Sequence, residues 1–104
     1  MDASRSRVYV IQEQPRHNLA PAMDFGQIIT LLPPGDANFS VQSTLEELKD
    51  GLSEFDNDSD WLLLTGDPIA IGLATMLVSQ VGHEIGFLKW DKQERRYLPI
   101  RCRV

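Results

Sequence analysis

The segment Trp61-Leu62-Leu63-Leu64-Thr65-Gly66-Asp67-Pro68 constrains the fold of this chain more than any other. Its four consecutive apolar residues read as a short strand with no polar face. Such a strand is covered on both sides and belongs to the centre of a largely parallel sheet. Helix-start chemistry follows at once. Gly66 permits an unusual turn, Asp67 suits the N-cap, and Pro68 suits the first helical position, where its missing N–H costs nothing. The helix predicted from Pro68 to about Val81 is apolar nearly all round, broken only by Thr75, Ser79 and Gln80 with Gly72 beside them. It is therefore expected to be buried on several sides and to stop at Gly82. Asp60–Gln80 is thus read as the strand–turn–helix core of the domain.

Arg7-Val8-Tyr9-Val10-Ile11 and Phe25–Leu32 read as strands before this unit, the second closed by Pro33-Pro34-Gly35-Asp36. The loop between them carries Pro15, Asn18 and Pro21 and has room for one helical turn. Leu45, Leu48, Leu52 and Phe55 recur at helical spacing, with Ser43 and Glu46 placed as a capping box. Ile85–Trp90 and Arg96–Val104 close the chain as a hairpin. The order β-β-α-β-α-β-β predicts a single α/β domain over residues 1–104, a small mixed sheet of about five strands with two helices and a C-terminal hairpin. Three strands apolar on both faces exceed what two helices easily cover. Either the helices divide between the faces or a second copy of the chain covers one, so a homodimer is expected.

The net charge of −5 hides an asymmetry: residues 24–67 hold ten acids against Lys49 alone, while residues 68–104 sum to +3. Overall acidity argues against non-specific nucleic-acid binding but leaves a local basic face available. The single cysteine, Cys102, excludes an internal disulfide framework and a multi-thiolate metal site. Alternation with Leu98, Ile100 and Val104 reads Cys102 as a small buried residue. The basic N-terminal residues lead into no apolar stretch, and Ile69–Val78 is too short to span a bilayer, so a cytoplasmic protein is expected.

Several constellations bear on chemistry. Gly66 and Asp67 lie where α/β proteins bind ligands, at the carboxyl end of a strand, yet a lone glycine and a carboxylate suit a phosphate poorly. Asp67 is read first as a helix cap. Asp56, Asp58 and Asp60 imitate the start of a calcium loop, but Trp61 stands where its glycine is required. His17 and His83 have no metal-pair or nucleophile spacing and read as surface residues. No metal or cofactor is indicated. The acidic surface of Glu46, Glu47, Asp50, Asp56 and Asp58 is a candidate contact for a basic partner. The hairpin is the other. With a two-residue turn at Lys92-Gln93, Trp90 faces Arg95 and Leu88 faces Tyr97, and one face gathers Leu88, Trp90, Arg95, Tyr97, Arg101 and Arg103. Aromatics among arginines serve protein interfaces and can also stack bases and hold phosphates.

Tyr9-Val10-Ile11-Gln12, Phe25-Gly26 leading into Leu31-Leu32, Asp60–Pro68, Leu88-Lys89-Trp90-Asp91 and Tyr97-Leu98-Pro99-Ile100 together resemble a group of small proteins, about 100 residues long, encoded by tailed bacteriophages. The resemblance spans nearly the whole chain. It implies an accessory protein made inside an infected bacterium and brings no activity or functional residues with it. Three functions are carried forward. The first is a non-enzymatic accessory protein that binds a host or phage protein, as a homodimer. The second is a nucleic-acid-binding module using the hairpin. The third is a small enzyme or nucleotide binder using Asp67.

Overall fold

The computed structural model describes residues 6–35 and 40–103. Val104 and Asp36, read above with the last strand and the proline turn, lie outside them. The elements are β1 (Arg7–Gln12), a 3-10 segment (Ala20–Phe25), β2 (Gln27–Leu32), α1 (Val41–Gly51), β3 (Trp61–Leu63), α2 (Pro68–Ser79), β4 (Glu84–Asp91) and β5 (Arg96–Arg103). They form one five-stranded sheet in the order β2-β1-β3-β4-β5. The first four strands are mutually parallel, and β5 returns antiparallel on β4. The mixed α/β architecture and its hairpin are those read from the sequence, and β3 sits at the centre of the sheet.

The sheet has two cores. On one face Tyr9, Ile11, Leu62 and Ile85 pack under Leu48, Leu52 and Phe55 of α1 and the turn after it, and under Ala70, Ala74 and Val78 of α2. On the other face Val8, Val10, Leu63, Leu88 and Tyr97 pack under Ala22 of the 3-10 segment, with Leu19, Phe25, Trp61 and Trp90 at the margins. Strand order explains the division. The β1–β2 connection runs toward one edge, and β2–β3 and β3–β4 run toward the other. Right-handed crossovers then place the first connection on the face opposite the two helices. Residues 13–26 take the place of a helix there.

Four expectations are corrected. The premise of an uncovered sheet face does not hold, because Val8, Val10, Leu63 and Leu88 are at most 1% exposed within a single chain. Burial of α2 on several sides does not hold either: as an outer layer it buries one stripe, leaving Ile69 39% and Met76 43% exposed. Helix α1 starts at Val41, with Ser40 as N-cap and no side-chain cap bond, so Ser43 and Glu46 form no capping box. Cys102 is exposed, because β5 is an edge strand beyond the reach of the helices. Ile100, on the same side of β5, is 44% exposed.

The hairpin register also differs. Asp91 pairs with Arg96, Trp90 with Tyr97 and Leu88 with Pro99, across a turn of residues 92–95. The Asp91 side chain sets this longer turn by accepting from the Gln93 and Glu94 amides at 3.0 and 3.4 Å. Arg95 completes it at φ 54°. The register moves by two residues relative to the two-residue turn. Each side chain therefore keeps its face and changes only its partner.

Candidate binding pocket at the hairpin

The crevice between the carboxyl ends of β1 and β3, where the crossovers change direction, is the usual ligand position in such a sheet. Here Gln12 fills it. Its side-chain Nε2 donates to the carbonyls of Pro33 (3.1 Å) and Gly35 (2.7 Å), and its Oε1 accepts from the Asp67 amide at 2.7 Å. The Thr65 hydroxyl donates to the Gln12 carbonyl at 2.6 Å. Gly66, at φ 105°, lies so close that a Cβ there would fall 2.3 Å from that of Gln12. The Asp67 carboxylate accepts from the Ile69 amide at 2.8 Å, which makes it the N-cap of α2. Gly66 and Asp67 therefore shape a closed, internally bonded junction.

The amino end of the sheet is also knitted together. Asp60, 2% exposed, accepts from the amides of Arg7 (2.9 Å) and Asp56 (2.8 Å). Asn57 donates to the carbonyls of Val78 (3.0 Å) and Glu84 (2.9 Å), tying the end of α2 to β4. Asp56 accepts from the Asp58 amide at 2.9 Å within the loop. Both carboxylates line an open cleft of about 570 Å³, which His83, Glu84 and Arg103 share, so its charge is mixed. Glu46, Glu47 and Asp50 are exposed on α1. Among the described residues no three His, Cys, Asp or Glu side chains are grouped to hold a metal ion.

The hairpin residues divide between the two ends. Arg101 stacks over Trp61 at 4.2 Å, donates to the Asn57 carbonyl at 3.3 Å and lies 3.8 Å from Glu84. Its guanidinium is engaged within the protein, and Gly86 makes room for it. From Tyr97 to Arg101 is four strand residues, about 13 Å. Arg101 and Arg103 thus do not share a site with Trp90 and Tyr97. Leu88 is wholly buried beneath them, and Arg95 is exposed in the turn.

Trp90 and Tyr97 pack edge to face, with ring centroids 4.9 Å apart. Together with Arg16, His17 and Asn18 they line a pocket of about 210 Å³. Residues 16–18 reach it because the loop leaving β1 arches across the carboxyl end of the sheet on the side away from the helices. Tyr97 is 3% exposed, yet its hydroxyl has no hydrogen-bond partner among the described residues. It is not a sealed orphan, since no buried side-chain oxygen or nitrogen of the described residues lacks a partner. The hydroxyl therefore keeps some access to solvent, and Tyr97 is one of the residues that line the pocket. Burial also pushes the Tyr97 phenol above its usual pKa, so it is neutral at ordinary pH. No described carboxylate lies within ion-pair distance of Arg16.

Arg16 and His17 were not among the sequence candidates. Their signal is positional: a loop following the first strand of a parallel sheet lies at its ligand-binding edge. Residues 6–104 match the family model of the Phage Pam3 gp32-like protein. The chain belongs to that family. It is accordingly a phage-encoded protein, as the resemblance of its sequence blocks implied. No curated protein and no solved structure matches it. Among the described residues no helix is long and apolar enough to cross a membrane.

Proposed function

We propose that this phage protein is a non-enzymatic accessory factor that binds another protein, of the host or the phage, with the Trp90–Tyr97 pocket at the centre of the contact. The observation that carries this reading is a pocket lined by Trp90, Tyr97 and Arg16, in which Tyr97 is buried with a hydroxyl that has no partner among the described residues. Tyrosine, tryptophan and arginine around a concave spot are the composition of interface centres. The filling of the sheet's usual ligand crevice by Gln12 supports binding over catalysis at Asp67. The engagement of Arg101 by Trp61 and Glu84 weighs against a nucleic-acid track along β5. Self-association belongs to the same reading, through the helix-side face of β5 where Ile100 and Cys102 are exposed. A strictly monomeric mass by light scattering removes it.

The test is affinity capture from infected-cell lysate, with and without nuclease, using the wild type and Arg16→Ala and Trp90→Leu variants. A protein retained by the wild type regardless of nuclease, and lost from both variants, is the expected result. Loss on nuclease treatment transfers the function to nucleic acid. Equal retention by both variants removes the pocket from the contact.

A further inference from the structure

Resting on that reading, the geometry points to the chemistry of the partner: the pocket takes a single aromatic side chain flanked by a carboxylate. Three features of the site make the case. Its volume of about 210 Å³ exceeds the roughly 150 Å³ cavity that holds a benzene ring, so one planar ring fits. The half-buried Trp90 offers ring surface, and the buried Tyr97 ring, meeting it edge to face, holds it in place, so a third ring can pack on Trp90 in offset or tilted geometry. Two of the lining groups, Arg16 and the Tyr97 hydroxyl, are donors suited to a negative or carbonyl acceptor. The Arg16 guanidinium has no ion-pair partner among the described residues, and the neutral Tyr97 hydroxyl is free to donate. Asn18 is partly committed, since its side-chain oxygen accepts from the Ala20 amide at 3.0 Å.

A protein side chain fits these groups better than a nucleotide of a longer strand. Nucleic acid needs a cationic track along its phosphates and open stacking faces. Here a single arginine lines the pocket and Tyr97 is 97% covered (3% exposed). Arg96, next to Tyr97 on β5, belongs to the opposite face and pairs with Glu94 at 2.7 Å, while Arg101 and Arg103 lie about 13 Å or more away along the strand. The chain is also acidic overall, at −5. Long-range repulsion of a polyanion opposes what one arginine can hold. An aromatic residue beside an aspartate or glutamate asks for one ring site and one cation, as this pocket provides.

The two tryptophans make the experiment self-controlled. Trp90 lines the pocket, while Trp61 is stacked under Arg101 at the other end of the sheet. The indole N–H signals of the uniformly ¹⁵N-labelled protein are followed while four probes are added. These are a capped pentapeptide with one phenylalanine between aspartates, a version with alanine for the phenylalanine, a version with lysines for the aspartates, and AMP. The acidic aromatic peptide is expected to shift the Trp90 signal saturably and leave that of Trp61 in place, with neither control peptide matching it. Arg16→Ala should weaken its binding about tenfold, the value of one charge-assisted contact. Tyr97→Phe, which keeps the ring and the packing, should weaken it about two- to fivefold. No Trp90 shift at millimolar acidic peptide overturns the inference, as does equal binding of the lysine peptide. A saturable response to AMP alone assigns the site to nucleotides. If lysate capture still depends on Arg16 and Trp90 while the acidic peptide is silent, this inference fails and the protein-binding reading stands. If neither depends on the pocket, both fall.

Discussion

Replacing Gln12 by leucine tests how the junction of β1, β3 and α2 is held. The Gln12 side chain makes three hydrogen bonds while the residue is 4% exposed. The carbonyls of Pro33 and Gly35 belong to exposed residues, so water can replace the lost donors there at little cost. The Asp67 amide is half-buried under the side chain that replaces its acceptor. Leaving it unsatisfied costs about 1–3 kcal/mol. A loss near 2 kcal/mol is therefore expected for Gln12→Leu. In a domain of this size that lowers Tm by roughly 10 °C, at about 4–8 °C per kcal/mol. Urea unfolding followed by tryptophan fluorescence measures it, with the slope unchanged and the midpoint moved. Gln12→Glu supplies the contrast. It keeps the acceptor for Asp67 but sets an ionised carboxyl against two carbonyl oxygens and the neighbouring Asp67 carboxylate. That environment raises the folded-state pKa of the introduced carboxyl above its unfolded value. The variant's stability is then fullest below the unfolded pKa and is lost as pH rises through the folded one. Its deficit against wild type should shrink toward pH ~4. A Gln12→Leu change within about 0.5 kcal/mol of wild type, the size of an ordinary surface substitution, would refute the account of this junction. So would a Gln12→Glu deficit that ignores pH.

Two further outcomes follow from burial. The Cys102 thiol, exposed on β5, should react with a chromogenic disulfide reagent in the native protein nearly as fast as in denaturant; a native reaction slower by orders of magnitude contradicts the edge position. Because burial raises the Tyr97 pKa, the folded protein keeps a proton that the unfolded chain has lost. Stability is then intact below the ordinary tyrosine value of about 10 and falls as pH rises through that of Tyr97. Tyr97→Phe should remove this part of the alkaline loss in urea titrations, and an unchanged alkaline slope counts against it.

Much of the fold is legible in local sequence because its signals are local. Val8–Ile11 and Trp61–Leu63 are apolar on both sides, and only a central strand covered twice can use such residues. Gly66-Asp67-Pro68 starts α2 where its backbone chemistry demands. The reach of α1 was less legible. A capping pattern at Ser43 competes with helix residues from Val41 onward, and the helix begins where packing of Thr44 and Leu48 carries it. The site was legible only in part. Trp90 and Tyr97 stand out by residue type. Arg16 and His17 do not, because nothing in their neighbourhood shows that more than seventy residues of chain return to meet them.

What the sequence by itself determined is the inventory: which segments are strands and helices, that β3 is central, and that each hairpin residue belongs to a given face. Tertiary structure decided which face the helices cover, and with it where the pocket lies. Strand order and right-handed crossovers are properties of the whole sheet, so they send residues 13–26 to the side opposite α1 and α2. Asp67 shows the same division at one residue. Its place at a helix start is written in Gly66-Asp67-Pro68, but only the distant Gln12, packed against it across the β1–β3 crevice, makes that turn closed scaffold instead of a site.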